Sequence, residues 1–415
     1  MRAHIHRGAH EVGGSCVELE AQGQRIVLDV GLPLSATHGE EVGLPPIDGF
    51  TSLDHTLLGV FISHSHPDHY GLMPQIAESV PLFIGEVTAN ILSEAAFFSP
   101  MGMHREPTGF LRHREVVEVG PFRVTPFLSD HSAFDAYSLL VEADGRRLFY
   151  SGDIRSHGRK KSVFEELISN PPEEIDVLLM EGTNIREDSL GTERGLTEQN
   201  VEDLCVEIFS ATNGIVLAMF SPQNIDRLVS IYRACLRSGR DLVIDLYSAA
   251  IVQATARETI PQPDWDRIRV YLPGAQRSRV IREQAFHRTD AVRPHRIYAE
   301  ELKRRREDLV MIFRTSMIGE LEGIGCLEGA HVLWSMWPGY LKDKSGERLT
   351  RFRENYGIPI TISHASGHAY IPDLQRFADA LSPIRLVPIH TFAGERFEEF
   401  FGQVERRPDG QWWEV

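Results

Sequence analysis

The stretch His64-Ser65-His66-Pro67-Asp68-His69 decides the fold of this chain, because it places three imidazoles and one carboxylate within six positions. An apolar run over 57–62 comes just before it and predicts a buried strand, and a helix is predicted over 71–77. Functional side chains are often carried by loops that a rigid scaffold holds in place. Imidazole and carboxylate groups bind zinc and similar divalent ions. The turn therefore predicts a metal site.

The alternation of ligands along this turn indicates that it can serve two ions. His66 can join His64 on one side, while Asp68 and His69 reach another. The alternative interpretation is a polar surface loop. Three histidines and an aspartate in so short a turn disfavour that alternative.

Other histidines and aspartates stand at the ends of further predicted strands. One of these strands is the second arm of a hairpin, whose turn is predicted by Asp144-Gly145. Any one of these residues, taken alone, is more often a satisfied core or surface group. Their joint occurrence at strand ends favours a shared site instead. The residues are Asp29, His131, Asp153 and His390.

This series of motifs resembles the signature of the metallo-β-lactamase fold and covers the chain from end to end. The resemblance implies an α/β fold, an αββα sandwich, in which Asp29 supports the histidine loop rather than binding metal. It further implies two divalent ions, with zinc favoured and manganese as the alternative. One ion is assigned to His64, His66 and His131, the other to Asp68, His69 and His390, with Asp153 as the bridge.

The length of the chain and the order of its predicted strands and helices indicate an inserted domain. The chain has 415 residues, which exceeds one average domain. Strands and turns dominate the first part, and helix-strand alternation then predicts a parallel α/β unit. The predicted domains are residues 1–190 and 356–415, which together form the metal-binding domain, and an inserted α/β cap at residues 191–355.

Further motifs resemble the β-CASP nucleases and, within them, RNase J-type ribonucleases. Glu181-Gly182-Thr183 resembles the first β-CASP motif, and residues 363–369 resemble the His-x-Ser-Gly-His-Ala segment of RNase J. The resemblance implies that Glu181 orients protons and that His368 stabilises the scissile phosphate or protonates the leaving oxygen. The predicted catalytic residues are Asp68, Glu181 and His368, and the predicted substrate-binding residues are His364, Ser366 and Gly367.

Substrate contacts are also expected outside these motifs. Residues 220–224 with Arg227 resemble a family stretch that lines the substrate channel. Arg155 and the basic residues at 159–161 follow Asp153, close to the expected phosphate. For His364, simple strand-end packing is the alternative to phosphate binding. The segment 313–320 departs from the family's stretch for the RNA 5′ end, which leaves exonuclease and endonuclease modes open.

The charge balance argues both for and against a nucleic-acid substrate. The net charge is −16, which repels nucleic acid at long range. Residues 267–306, however, hold twelve Lys or Arg against four acidic residues. Phosphate neutralisation needs only a local basic path. For the run Lys303 to Arg306, a solvated helix face is an equally good interpretation.

The sequence therefore predicts a metal-dependent phosphodiester hydrolase that cleaves RNA by a water activated between two ions. The alternatives are a DNA nuclease, a hydrolase of small phosphodiesters, and a non-catalytic binding subunit, which the intact ligand set disfavours. Single-stranded RNA is the expected partner. The family generally has a further domain that assists dimerisation, and this chain ends at Val415. A homodimer or a protein partner is therefore an open expectation.

The remaining sequence features bear on location and on one isolated histidine pair. No apolar stretch approaches the roughly 20 residues of a membrane span, and the start lacks the apolar region of a secretory signal. The four cysteines include no Cys-x-x-Cys. A cytoplasmic protein with no membrane partner is expected. His4 and His6 are interpreted as a pair on an edge strand, because no acidic or third histidine neighbour follows them.

Overall fold

The computed structural model describes residues 1–34, 36 and 42–415, and the chain divides into two compact units. The first unit comprises Met1–Ala96, Pro100–Gly195 and Gly367–Val415. The second comprises Phe97–Ser99 and Leu196–Ser366. A segment that interrupts the first unit in the sequence thus forms most of the second.

The first unit contains a seven-stranded sheet in the order β19-β1-β2-β3-β4-β5-β6. β1 lies between two strands, so the prediction of an edge strand there is wrong. Its pairing with β19 could not be read locally, because β19 comes from the other end of the chain. The strands are β1 (Arg2–Arg7), β2 (Cys16–Ala21), β3 (Gln24–Leu28), β4 (Leu57–Ile62), β5 (Leu82–Gly85), β6 (Gly109–Leu111) and β19 (Trp412–Glu414).

A second, six-stranded sheet of the same unit has the order β18-β11-β10-β9-β8-β7. β18 joins it beside β11 in parallel, although about 200 residues separate the two strands in the chain. The strands are β7 (Val117–Val119), β8 (Phe122–Leu128), β9 (Tyr137–Ala143), β10 (Arg146–Tyr150), β11 (Val177–Glu181) and β18 (Arg385–Ile389).

The two sheets pack face to face. Ile5 and Leu19 of the first sheet share one buried apolar cluster with Val141 and Leu179 of the second. Alternate residues point to opposite faces of a strand, so each sheet also presents an outer face. Helices cover both outer faces and bury further apolar clusters. The architecture is the predicted αββα sandwich.

The helices of the first unit are short connections between strands or covers for the outer faces. The predicted helix over 71–77 is misplaced, because the helix begins at Pro67 and Gly71 follows its end. A short 3-10 turn over Met73–Gln75 takes the predicted position. The helices are α1 (Pro67–Tyr70), α2 (Glu86–Phe98), α3 (Lys161–Ser169), α12 (Ile371–Leu381) and α13 (Phe397–Phe400).

The second unit is built on a six-stranded sheet in the order β14-β13-β15-β12-β16-β17. All of its strand pairs are parallel, which matches the helix-strand alternation predicted from the sequence. The strands are β12 (Val216–Met219), β13 (Asp241–Asp245), β14 (Ile268–Tyr271), β15 (Leu309–Ile312), β16 (His331–Trp334) and β17 (Ile360–Ile362).

Helices connect the strands of this sheet. Thr197 caps the first of them, since its side chain accepts a hydrogen bond from the Asn200 amide in a capping box. The helices are α4 (Glu198–Ala211), α5 (Ile225–Ser238), α6 (Leu246–Ala254), α7 (Gly274–Arg282), α8 (His287–Asp290), α9 (Ala299–Arg304), α10 (Ile318–Ile324) and α11 (Lys344–Tyr356).

The boundaries of the second unit differ from the expected 191–355. The main segment begins at Leu196 and continues to Ser366. The difference at the end arises because β17 pairs with β16 and extends the second unit's sheet. A three-residue strand carries no local signal that tells which sheet it joins.

Two features bear on the cellular setting. Among the residues that the structure describes, no helix combines the length and apolarity needed to span a membrane. All four cysteines are buried free thiols.

Candidate metal centre

The histidine turn connects β4 to α1. Pro67 occupies the first turn of α1, where a backbone N–H is not needed for the helix. Residues outside the turn fix its backbone. The Asp68 carbonyl accepts a hydrogen bond from the Ser15 amide, and the His69 carbonyl accepts one from the Val30 amide. The rings of His64 and His69 are fully buried as a result.

Asp153 lies at the centre of the ligand residues. Its Oδ2 is 3.2 Å from His69 Nε2 and 3.5 Å from His64 Nε2. The same oxygen is 3.8 Å from His131 Nε2, and Oδ1 is 3.9 Å from His390 Nε2. One carboxylate therefore faces ring nitrogens carried by the histidine turn and by two separate strand ends.

The predicted ligands fall into groups whose donor atoms lie within 4.8 Å of one another. The grouping follows the alternation expected along the histidine turn. Asp153 also forms a group with His368 and His390, which brings a predicted catalytic histidine to the same place. The two main groups are His64, His66, His131 and Asp153, and Asp68, His69 and His390.

Several buried ligand atoms of this cluster form no hydrogen bond of ordinary geometry with any residue that the structure describes. They are the Nε2 atoms of His64, His69 and His390 and both carboxylate oxygens of Asp153. Leaving a buried polar atom unpaired costs roughly 1–3 kcal/mol. Several such atoms directed at one place are typical of a cluster that completes its bonding with metal. Imidazole nitrogens with carboxylate oxygens fit a pair of divalent ions.

Asp29 supports the histidine turn and is fully buried. Its Oδ2 is 2.7 Å from His69 Nδ1 and accepts hydrogen bonds of 2.7 Å from the Ser63 and Tyr150 hydroxyls. Its Oδ1 accepts one from the Ser63 amide. A carboxylate on the far nitrogen of a ligand histidine fixes the ring orientation and raises its basicity. Asp29 therefore has the supporting position that the sequence predicts.

Replacing Asp29 by asparagine is expected to weaken metal binding by roughly 10–100-fold, the usual effect of losing such a partner. Asparagine tolerates the left-handed φ of 57° at this position, so the change removes the charge without straining the backbone. Competition with a calibrated chelator measures the affinity. Tyr150→Phe is the matched control, because it removes one of the hydrogen bonds to Asp29 and keeps the carboxylate. Equal affinities for wild type and Asp29→Asn would contradict the supporting role.

The two predicted histidine ligands outside the turn are oriented by hydrogen bonds of their own. His390 Nδ1 lies 2.8 Å from the Ser15 hydroxyl, and His390 has a left-handed φ of 53° directly after β18. His131 Nδ1 donates to the Gly367 carbonyl at 2.6 Å. A Cβ at Gly367 would lie 2.8 Å from the Ser132 hydroxyl oxygen and 3.1 Å from His131 Cε1, so a larger residue there requires these side chains to move.

His368 is paired with Glu181 beside the ligand cluster. Its Nδ1 is 3.0 Å from Glu181 Oε2 and 3.7 Å from Asp153 Oδ2. Glu181 is buried and accepts hydrogen bonds from the Ile154 and Thr183 amides. The sequence motifs that carry these two residues are far apart in the chain, and the fold brings them into direct contact.

The pKa values reflect this burial and charge. Burial lowers the pKa of His64 and His131 well below the ordinary range, which favours the neutral form that binds metal. Burial also opposes protonation of His368, but the Glu181 and Asp153 carboxylates outweigh it and raise its pKa to about 9.

One basic residue expected near the substrate phosphate is structural instead. Arg155 is fully buried, and its Nε donates to Asp130 Oδ1 at 3.3 Å. The same aspartate accepts a hydrogen bond from the Gly158 amide. Arg155 thus stabilises the loop after Asp153. Lys160 donates to the His131 carbonyl at 3.0 Å, so it holds a ligand-bearing loop.

Arg227, expected to line a substrate channel, is also fully buried. Its guanidinium donates to Glu198 at 2.9 and 3.1 Å and to the Ser335 carbonyl at 2.6 Å. These bonds connect α5 to α4 and to the loop after β16 within the second unit. The expectation fails because a motif shows residue types and not the direction in which a side chain points.

The basic run at 303–306 is partly neutralised. Arg305 pairs with Asp241 at 2.8 Å and Arg306 pairs with Glu328 at 2.9 Å. These partners favour the interpretation as a solvated surface over phosphate binding. The predicted substrate-binding residues lie in different units: Gly367 belongs to the first, and His364 and Ser366 belong to the second. His364 and Ser366 stay predictions.

Comparison with known proteins agrees with this architecture. Residues 33–214 match the Beta-lactamase superfamily domain. This match confirms the resemblance to the metallo-β-lactamase fold that the sequence motifs predict. The match bears out the prediction of a metallo-β-lactamase hydrolase fold, and it spans the histidine turn, His131, Asp153 and Glu181.

Curated relatives extend the similarity to RNase J. The chain is 24% identical over 266 residues to an RNase J-like protein of Methanocaldococcus jannaschii, covering 61% of this chain and 59% of that protein. It is 20% identical over 414 residues to Ribonuclease J of Mycoplasma genitalium, covering 92% of this chain and 66% of the relative. The chain thus spans less than two thirds of the length of these relatives.

A solved structure reproduces the fold over the whole chain. A protein of unknown function from Enterococcus faecalis V583 aligns with a TM-score of 0.77 and 20% identity, covering 99% of both chains. At this identity the likeness concerns the fold alone.

Proposed function

We propose that this protein is a metal-dependent ribonuclease that hydrolyses phosphodiester bonds in single-stranded RNA. The observation that carries the proposal is the set of unpaired, buried donor atoms around Asp153, with the His368–Glu181 pair beside them. The similarity to proteins named Ribonuclease J supports RNA as the substrate class.

The ligand residues fit two divalent ions, with zinc favoured on the strength of five histidines in the set. The chemistry that such a pair supplies when bound is activation of a water molecule and neutralisation of phosphate charge. Asp153 holds the two ligand groups together, because one of its oxygens faces His64 and His69 and the other faces His390. Its burial keeps bulk water away from the carboxylate.

The protein's own proton chemistry is assigned to His368 and Glu181. Glu181 contacts His368 Nδ1, so a proton there is fixed and the ring orientation is set. Nε2 is then the atom that delivers a proton to the leaving oxygen. The side chain of His368 is 19% exposed and that of Glu181 only 1%, which suits a proton donor reached by substrate and an orienting carboxylate that is not.

A basic aromatic cluster in the second unit supports a single-stranded polymer as the substrate. The guanidinium groups of Arg279 and Arg288 lie 5.2 and 4.4 Å from the centre of the Phe97 ring. Phe98 stacks on Tyr247 at 5.1 Å. Aromatic rings interleaved with arginines bind single strands by stacking and phosphate contacts.

The test is cleavage of matched RNA and DNA. Metal-loaded protein is incubated with strands of one sequence, labelled at either end and bearing 5′ triphosphate, monophosphate or hydroxyl groups. We expect RNA to be shortened while DNA stays intact. Protein stripped with chelator is the control and should be inactive. Equal turnover of DNA and RNA, or turnover of a dinucleotide alone, would overturn the proposal in favour of the alternative hydrolases.

The label pattern also addresses the mode of cleavage. Release of mononucleotides from one end indicates an exonuclease, and internal fragments indicate an endonuclease.

Glu320 lies in the segment that departs from the family's 5′-end stretch, and its carboxylate accepts hydrogen bonds from Tyr271 and the Gly274 amide. Cleavage mode, a cytoplasmic location and a homodimer stay predictions.

A further inference from the structure

A second cluster of possible ligands lies on β1, apart from the centre described above. His4 and His6 are two positions apart on the strand, and alternate residues of a strand share one face. Ala3 and Ile5, which alternate with the two histidines along the strand, enter the sandwich core, so both imidazoles point to the outer face. Their ring centroids are 3.9 Å apart.

Glu18 supplies a carboxylate from the neighbouring strand. It is the direct cross-strand partner of His4 in the β1–β2 ladder. The register shifts between Ile5 and Arg7, an irregularity of the kind that re-aims a side chain. His6 Nε2 lies 2.8 Å from Glu18 Oε2, and donor atoms of all three residues lie within 4.8 Å of one another.

The bonding of these side chains is incomplete. Both ring nitrogens of His4 are buried and lack hydrogen-bond partners among the residues that the structure describes. The Trp412 ring packs against the His4 ring with centroids 5.0 Å apart. The side chains of His6 and Glu18 are only 4% exposed. His4 is a half-buried imidazole whose two ring nitrogens are inaccessible to water and unpaired among the described residues. Beside a histidine–carboxylate pair, such a ring indicates a site that lacks one component.

From this geometry we infer a third metal site, in which His4, His6 and Glu18 bind one divalent transition-metal ion such as Zn²⁺. Two histidines and a glutamate with one open position form an established zinc donor set. On binding, Glu18 Oε2 exchanges its contact with His6 for the ion. The other oxygen, Oε1, keeps its 2.6 Å contact with Arg25, which orients the carboxylate.

The competing interpretation is a metal-free network in which His6, Glu18 and Arg25 satisfy one another. Arg25 also pairs with Asp54 at 2.7 Å, which offsets its positive charge near the site. The network accounts for His6 and Glu18. It does not account for His4, whose ring nitrogens have no hydrogen-bond partner among the three side chains of that network. Removing the His4 imidazole therefore distinguishes the two interpretations with the least effect on the fold.

The experiment counts ions per chain. Protein stripped with chelator is reloaded with Zn²⁺, freed of excess metal and measured by elemental analysis. We expect three ions in the wild type, two in His4→Gln and two in Glu18→Gln. His55→Gln, the same change at an exposed histidine, should keep three. Asp153→Asn should keep the ion of the new site.

The outcomes for the two sites are separable. A loss of one ion in His4→Gln supports the third site whatever the total in the wild type, including a total of one if the main centre stays empty. Equal counts in wild type and His4→Gln overturn it. Co²⁺ reloading adds a second measurement, because the visible spectrum of the ion bound by nitrogen and oxygen ligands should lose one component in His4→Gln and not in His55→Gln.

Discussion

Asp153→Asn is expected to reduce RNA cleavage to below about one thousandth of the wild-type rate, a loss of about 4 kcal/mol of transition-state stabilisation. The carboxylate faces His64 and His69 with one oxygen and His390 with the other. Asparagine has nearly the same shape, but it lacks the charge and replaces one acceptor with a donor. Donor N–H groups directed at metal-binding nitrogens disfavour an ion at either ligand group.

The measurement pairs activity with ion content. Ion binding at the main centre should fall together with cleavage, while circular dichroism and the thermal midpoint stay near the wild-type values. Asp379→Asn makes the same chemical change on the exposed face of α12 and should change neither. Retention of full activity by Asp153→Asn would exclude the proposed two-ion centre.

His368→Ala is expected to lower the cleavage rate by roughly 10²–10⁴-fold, the usual contribution of a positioned acid or base. The contact between His368 and Glu181 at 3.0 Å fixes the ring that delivers the proton. Single-turnover rates at saturating RNA measure the chemical step. Glu181→Gln should give a smaller loss, because its amide can still accept a hydrogen bond from Nδ1.

Ion content separates two roles of His368 here. Its donor atom lies within 4.8 Å of those of Asp153 and His390, so the second role is that of a metal ligand. A proton donor can be removed without changing the number of ions per chain, whereas a ligand cannot. Loss of an ion in His368→Ala would assign it to the ligand set and contradict the proton-donor role.

The sequence allowed the local parts of the site to be predicted. Each predicted ligand stands in the histidine turn or within three residues of the end of a strand, and strand ends are positions where apolar runs stop and polar residues begin. Local patterns therefore predict His64, His69, His131 and His390. The structure then brings their donor atoms together around Asp153, as the combined motifs implied.

Pairings between distant segments could not be predicted in the same way. His6 and Glu18 meet because of a register between two strands, and a sequence pattern shows the period of a strand and not its register. The sequence places Arg155 and Arg227 among the expected substrate contacts, because a sequence does not show whether an arginine is buried or exposed. Their carboxylate partners, Asp130 and Glu198, are identified only by the fold.

The parallel pairing of β18 with β11 has a consequence for synthesis on the ribosome. Loop closure over such a distance gives the first unit a high contact order, which slows folding. The nascent chain contains the histidine turn, Asp153 and Glu181 long before His390 is translated. If the protein is a ribonuclease, it acquires its last ligand only after β18 has formed. An unfinished chain would then be inert toward the message that encodes it.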